Sequence, residues 1–157
     1  MKDTASILGI GGKLAFYTIL YVGFATVLTA YFPDIFFIRF VPRFSLLLLG
    51  SFFLALGIPL LIIAARQVVT QFKEGMLITE GIFRYSRNPI YAAWAIFIIP
   101  GLSLLTTSWI FLGTPFIFYF VFKIFIREEE EYLATHFGEE YLQYKAKVAQ
   151  LFPHFKR

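Results

Sequence analysis

Three long stretches of this chain carry no charged residue, and they constrain its fold more than any other feature. They cover residues 14–32, 44–65 and 91–122. A helix needs about 20 mainly apolar residues to cross a hydrocarbon core about 30 Å thick. Each stretch therefore predicts at least one helix that crosses a membrane.

The third stretch is too long for a single crossing. Its 32 residues would form a helix about 48 Å long at about 1.5 Å per residue. Pro100-Gly101 and the polar residues of 103–108 interrupt it. We predict two spans here, roughly 88–105 and 108–126, joined by a tight turn, with the first short enough to cross only part of the core. The expected fold is all-α: one integral membrane bundle of about four transmembrane helices over residues 1–157.

The composition excludes most soluble classes. The chain is 59% hydrophobic and 15% charged, whereas soluble domains are about 45–50% apolar and about 25% charged. It contains no cysteine, and its two histidines are His136 and His154. Thiolate chemistry and a Cys- or His-rich metal centre therefore lack their residues, and we expect no metal.

The basic residues predict the orientation in the membrane. With four spans, twelve of the 14 lysines and arginines fall on the side of the termini and two fall on the other side. Cytoplasmic loops carry the excess of Lys and Arg, so both termini and residues 66–90 are expected in the cytoplasm. These charges form no dense patch, which argues against a nucleic-acid partner. The minority pair is Arg39 and Arg43, and the majority comprises Lys2, Lys13, Arg66, Lys73, Arg84, Arg87, Lys123, Arg127, Lys145, Lys147, Lys156 and Arg157.

The first polar segment lies at residues 79–91, before the third span. Asn88-Pro89 predicts a helix that begins with an Asn N-cap and Pro in the first turn. A helix N-terminus attracts anions, and Arg87 stands beside it, so the segment can bind a carboxylate or phosphate. The alternative is that Arg84 and Arg87 only mark the cytoplasmic face. The glycines at 9, 11 and 12 have no preceding strand, and we expect a flexible entry to the first span there.

The second polar segment follows the fourth span and begins with four consecutive glutamates at 128–131. The apolar residues after it recur at spacings of three and four, which predicts one amphipathic cytoplasmic helix over 132–148. Consecutive residues point in different directions around a helix, so one or two of the glutamates can face the bundle. The alternative is a solvated acidic collar. The apolar positions are Leu133, Phe137, Tyr141, Tyr144 and Val148.

A hairpin of the third and fourth spans would bring the two polar segments to one membrane face. One is positive and the other negative, so a zwitterionic amino-acid head group would fit between them. The rings of Tyr85, Tyr91 and Tyr132 could cover a flat base or a cation. Such a bundle could take a polar cofactor from the cytoplasm and an apolar substrate from the bilayer.

Two motifs in these segments resemble a known family. They are Gly81-Ile-Phe-Arg-Tyr-Ser-Arg87-Asn88-Pro89-Ile-Tyr91 and Glu129-Glu130-x-x-Leu133-x-x-x-Phe137-Gly138-x-x-Tyr141-x-x-Tyr144. Together they resemble the isoprenylcysteine carboxyl methyltransferases and the related phospholipid N-methyltransferases, over about residues 45–153. The family commonly has His where this chain has Asn88, and its eukaryotic members carry additional spans. Asn can cap a helix and donate hydrogen bonds, but it does not titrate.

The resemblance implies a membrane methyltransferase that uses S-adenosylmethionine. It implies a cofactor site of Gly81, Arg87, Asn88, Tyr91, Glu129 and Glu130, with Arg87 and Glu130 nearest the chemistry. The implied acceptor is a lipophilic molecule from the bilayer, with an isoprenylcysteine-type carboxylate or a lipid headgroup amine. For an amine, Glu129 or Glu130 would accept the proton.

Two other functions compete with this one. Membrane-bound sterol reductases, which use NADPH, have a C-terminal part that resembles the same region, although they carry more spans. A non-enzymatic scaffold or small transporter is the second alternative. The spans carry no intramembrane charge, which argues against ion transport.

Overall fold

The computed structural model describes residues 9–72 and 76–152, which form helices joined by turns. A 3-10 turn at Gly81–Arg84 precedes α4, and another at Trp109–Gly113 precedes α6. The α-helices are, in chain order, α1 (Gly11–Tyr31), α2 (Pro33–Phe36), α3 (Arg43–Phe72), α4 (Pro89–Ala93), α5 (Ile99–Leu105), α6 (Thr114–Phe137) and α7 (Glu139–Lys147).

Three helical segments are long and apolar enough to cross a membrane: Gly11–Tyr31, Arg43–Thr70 and Trp109–Phe137. A fourth, Pro89–Leu105, is apolar but shorter. It consists of α4, a π-helical stretch at Trp94–Ile98 and α5. The expected membrane bundle is thereby confirmed, and so is the division of the long third stretch into two helices.

The turn at 106–108 joins Pro89–Leu105 to Trp109–Phe137. Residues 37 and 38, in the connection between α2 and α3, hold this turn in place. Thr107 has a φ of 53°, a left-handed conformation that is uncommon for a β-branched residue. Its carbonyl accepts a hydrogen bond from the Ile38 N–H at 2.9 Å. Phe37 and Ser108 form an isolated antiparallel bridge. These contacts fix the end of the bundle that is remote from the polar segments.

Helices α3 and α5 approach each other closely through small residues. A Cβ added to Gly50 would lie 2.8 Å from the Gly101 carbonyl oxygen, and one added to Gly101 would lie 3.0 Å from the Gly50 carbonyl oxygen. Small residues of this kind let membrane helices pack backbone to backbone. The contact fixes how Pro89–Leu105 sits against α3.

A compact core lies between α1, α5 and α6. Leu14, Ile99, Phe122 and Ile126 are almost fully buried in it. Large apolar side chains also cover the outside of the bundle, where Phe40, Phe116 and Phe120 are mostly exposed. An exposed apolar surface of this extent is suited to lipid rather than to water.

The expected C-terminal amphipathic helix is present as α7, but the helical stretch over 132–148 is interrupted instead of continuous. Helix α6 ends at Phe137, and Gly138 adopts a φ of 56° before α7 begins. Glycine takes this left-handed conformation without the penalty that a Cβ would bring. The break turns α7 back toward the bundle, which buries Tyr141 and Tyr144.

Candidate active site

Arg87 and Glu130 form a salt bridge where the two polar segments meet. Arg87 Nη1 lies 2.9 Å from Glu130 Oε1, and each side chain is only 10% exposed. The structure therefore brings the two polar segments together, as expected for a hairpin of the third and fourth apolar helices. It also places the two charges in direct contact, so a head group would have to bind beside this pair rather than between its members.

Glu130 has two further partners, both from the C-terminal part of the chain. Lys145 Nζ lies 2.7 Å from Glu130 Oε2. Gln150 Nε2 donates to Glu130 Oε1 at 2.9 Å. A buried carboxylate is tolerated when its oxygens are paired and hydrogen-bonded in this way. Glu130 thus joins Arg87 to the segment that follows α6.

The remaining contacts of Arg87 leave one nitrogen without a partner. Its backbone N–H donates to the Ala149 carbonyl at 2.9 Å, and Nη1 donates to the Tyr141 hydroxyl at 3.4 Å. Burial, together with the nearby Glu130 carboxylate, raises the pKa of Tyr141 to about 12. Tyr141 is therefore neutral at physiological pH. The buried Nε of Arg87 has no hydrogen-bond partner.

Asn88 occupies the predicted N-cap position, but its side chain does not cap the helix. Helix α4 begins at Pro89, as predicted, without a side-chain hydrogen bond from Asn88. The Asn88 Nδ2 donates instead to the Gln150 carbonyl at 2.9 Å. Asn88 thus ties the C-terminal segment to this helix start through its Nδ2 donor.

Glu129 has different surroundings from the other three glutamates. Its Oε2 accepts hydrogen bonds from the Tyr91 hydroxyl at 3.0 Å and from the Ile10 N–H at 3.3 Å. Glu128 is exposed and pairs with Lys13, while Glu131 is exposed on the outer side of α6. Glu129 and Glu130 therefore form an inner pair that faces the bundle, and Glu128 and Glu131 form an outer pair that is exposed.

Gly9, just before α1, is closely packed and not a loose entry to that helix. Gly9 has a φ of 49°, and a Cβ added to it would lie 2.6 Å from Glu129 Oε2 and 3.0 Å from the Tyr91 hydroxyl. Ile10, which follows it, is only 3% exposed. The segment therefore forms a closely fitted wall beside Glu129. The prediction of a flexible entry is wrong, because the missing side chain serves close packing.

Three of the residues singled out in the sequence lie apart from this cluster. Gly81 has a φ of 60°, and a Cβ there would lie 2.6 Å from the Gln67 side-chain amide. Gln67 hydrogen-bonds on both sides of it, to Glu80 and Ile82. Tyr85 and Tyr132 are 57% and 47% exposed. The geometry gives Gly81 a role in the turn, and it brings neither tyrosine over the cluster.

A cavity of about 650 Å³ begins at the cluster and extends into the bundle. Arg87, Asn88, Tyr91 and Glu129 line its polar end. This size, with few polar groups in a mainly apolar wall, is typical of small-molecule sites. Its apolar wall includes Leu14, Trp94, Ile99, Leu102 and Phe118.

The buried polar atoms that lack a partner all belong to residues of this cavity. Within the described residues they are Thr18 Oγ1, Arg87 Nε and Thr114 Oγ1. Buried polar groups are nearly always hydrogen-bonded in folded proteins. Their concentration on one cavity indicates that a ligand with polar groups belongs there.

Sequence reasoning missed three residues of this site. The only sequence signal for Thr18 and Thr114 was that each is a single threonine in an apolar span. Nothing in the motifs marked Gln150.

These features define a class: a helical membrane protein whose buried polar cluster lies at the end of an apolar cavity. Residues 38–140 match the Phospholipid methyltransferase family. The match covers more than half of the chain, which therefore belongs to that family.

Individual relatives are named protein-S-isoprenylcysteine O-methyltransferase. That of Schizosaccharomyces pombe is 34% identical over 84 residues, which are 52% of this chain and 34% of the relative. That of Dictyostelium discoideum is 31% identical over 75 residues, 48% of this chain and 32% of the relative. That of Xenopus laevis is 35% identical over 80 residues, 51% of this chain and 28% of the relative. The matches span about a third of the length of these relatives.

Proposed function

We propose that this protein transfers a methyl group from S-adenosylmethionine to a lipophilic acceptor that enters from the bilayer. The observation that carries the proposal is the cavity itself. It joins a charged, hydrogen-bonding end to an apolar interior within one helical bundle. Membership of the Phospholipid methyltransferase family supports methyl transfer over the reductase and scaffold alternatives.

The polar end fits the amino-acid part of the proposed cofactor. The buried Nε of Arg87 has no partner and can donate a hydrogen bond to the carboxylate of the cofactor. Arginine and carboxylate groups form strong, often bidentate, pairs. The Glu129 carboxylate and the Tyr91 hydroxyl offer partners for an ammonium group and for hydroxyls. When bound, S-adenosylmethionine supplies a methyl group on a positively charged sulfur. Asn88 would contribute by holding the C-terminal segment against the start of α4.

The two inner glutamates have separable roles in this proposal. Glu130 holds Arg87 and is itself held by Lys145 and Gln150, so it positions the arginine. Glu129 lines the cavity, and it is the carboxylate placed to accept a proton if the acceptor is an amine. A carboxylate acceptor would need no base at neutral pH. The bundle would align the reacting groups and exclude water.

The names of the relatives favour a prenylated cysteine carboxylate as the acceptor. A lipid headgroup amine is the second candidate, because the family match is to Phospholipid methyltransferase. Both are amphiphiles, and both would place an apolar chain in the cavity. The twelve basic residues on the side of the termini support a cytoplasmic site.

The decisive experiment uses the purified full chain in detergent with methyl-labelled S-adenosylmethionine. An N-acetylated S-prenylcysteine and phosphatidylethanolamine are offered separately, and label in the extracted lipid is counted. We expect label on the prenylcysteine. Thermal stabilisation by S-adenosylmethionine is compared with that by NADPH. Stabilisation by NADPH alone would favour a reductase, and no labelled acceptor with no stabilisation by either would favour a scaffold.

A further inference from the structure

A second cavity continues the first along the same face of α1. On α1, the first cavity is lined by Leu14, Thr18 and Val22, and the second, a more open groove of about 370 Å³, by Thr26, Thr29 and Ala30. Positions three and four apart lie on one face of a helix. The 21 residues of α1 extend about 31 Å, so the two cavities together follow its whole length.

Thr106 and Phe111 line both cavities. Both spaces are therefore bordered by these two residues, of which Phe111 is the bulkier. We infer that Phe111 is an end stop that sets how long an apolar chain the protein accepts. The inference rests on the proposed function, because the chain in question is that of the lipophilic acceptor.

Two hydrogen bonds anchor the residues directly before Phe111. The Tyr21 hydroxyl donates to the Ile110 carbonyl at 2.8 Å. Trp109 Nε1 donates to the Ile35 carbonyl at 2.9 Å. In a membrane, backbone carbonyls that lose such partners are costly to leave unpaired. The ring is thus presented from a fixed turn, and a longer chain meets it as a wall.

The second cavity is suited to hydrocarbon. Its hydroxyls are already satisfied, because Thr26 Oγ1 donates to the Val22 carbonyl at 2.7 Å and Thr29 Oγ1 shares a hydrogen bond with Ser108 Oγ at 3.1 Å. The rest of its lining includes Ala30, Pro33 and Phe37. In contrast, the first cavity has unsatisfied hydroxyls at Thr18 and Thr114. The distal end of an apolar chain therefore fits the second cavity once the stop is removed.

The test compares Phe111→Ala with the wild type on S-alkylated cysteine acceptors of increasing chain length. We expect Phe111→Ala to shift the ratio of kcat/KM for long over short chains by about tenfold or more, since each methylene in a fitted apolar pocket matters about that much. Phe116→Ala is the matched control, because Phe116 is 68% exposed and lines neither cavity. The double variant Phe111→Ala, Ala30→Phe should fill the second cavity with the new ring and restore the wild-type preference for chain length.

A second measurement does not depend on turnover. Methyl esters of the same acceptors have no carboxylate to methylate, and their thermal stabilisation of each variant reports chain binding alone. Phe111→Ala should extend the chain length that stabilises best. If this variant fails to fold, Phe111→Leu is tested in its place. We then expect a smaller increase in the chain length that stabilises the protein best. Unchanged preference in both measurements would overturn the end stop, whereas a wild-type protein that methylates no acceptor would overturn the proposed function instead.

Discussion

The four consecutive glutamates near the end of α6 occupy two kinds of environment. Glu129 and Glu130 face the bundle and its hydrogen-bond donors, while Glu128 and Glu131 are exposed. Successive residues rotate by about a quarter of a turn or slightly more around a helix. One short acidic run can therefore supply both a buried pair and a solvated pair.

Replacing each glutamate in turn by Gln should separate these environments. Glu129→Gln and Glu130→Gln should each weaken S-adenosylmethionine binding by about tenfold or more, because hydrogen bonds to a charged group contribute about 1.5–3 kcal/mol. Glu128→Gln and Glu131→Gln should change affinity by no more than about twofold, as exposed charges contribute little. Equilibrium dialysis in detergent measures all four variants. Equal losses at every position would support an acidic collar.

Substituting Arg87 by Lys tests whether its guanidinium contacts an anionic ligand. Lysine keeps the charge, so it can still pair with Glu130, but it loses the planar fork and the buried Nε. We expect methyl transfer to fall by about tenfold or more. Arg84 is exposed three residues earlier, and Arg84→Lys should leave activity near the wild-type rate. Normal turnover in well-expressed Arg87→Lys protein would reduce this arginine to a marker of topology.

At the scale of elements, the residues just before α1 pack on Glu129, so we expect them to shape the proposed donor site. Replacing Gly9 by Ala would strain a residue with a positive φ, at about 1–2 kcal/mol, and would push the Glu129 carboxylate away from Tyr91. The expected result is a several-fold weaker affinity for S-adenosylmethionine. Gly12 has open space around its Cβ position, so Gly12→Ala should bind the donor normally. Matching affinities for the two variants would argue against a fitted wall.

The segment that follows α7 locks the two polar segments together through Gln150. Its side chain donates to Glu130 and accepts a hydrogen bond from Lys123 at 2.7 Å. Gln150→Ala removes both and should lower the free energy of unfolding by about 1–2 kcal/mol. Gln143 is exposed on α7, and Gln143→Ala serves as the control. Thermal unfolding in detergent makes the comparison, and identical midpoints would contradict this role.

At the scale of the whole molecule, basic residues among those that the structure describes lie at both ends of the bundle. Lys13, Lys123 and Lys145 contact partners at the polar end. Arg39 and Arg43 flank the connection that packs on the 106–108 turn at the other end. This division follows the pattern of cytoplasmic and external loops.

A reporter fused after Arg157 should therefore have cytoplasmic activity, and one inserted after Arg39 should face the opposite side. The reason is the twelve-to-two asymmetry of Lys and Arg. Paired reporters of opposite compartment specificity make the measurement in intact cells. A periplasmic or lumenal signal from the fusion after Arg157 would reverse the proposed orientation of the site.

The sequence by itself determined the features that depend on local segments. Transfer of an uncharged stretch into lipid is a property of that stretch, so the apolar helices follow from hydropathy, and the division of 91–122 follows from its length and from the polar residues of 103–108. Pro100-Gly101 does not make the break, because both residues lie within α5. The helix start at Asn88-Pro89 follows from local backbone preference. The joint motif around Arg87 and Glu129-Glu130 pointed to the family, because both of its halves are short and contiguous.

Only the tertiary structure decided which faces of the helices meet. Lipid is as apolar as a protein core, so membrane helices lack the pattern that marks an inner face in soluble proteins. The sequence could not indicate that Gly9 packs on Glu129, that Gln150 bonds to Glu130, or that Thr18 and Thr114 line one cavity. Those contacts depend on helix rotation, which close approaches such as Gly50 to Gly101 fix. For the same reason Phe111 was one aromatic residue among many until its position between two cavities was known.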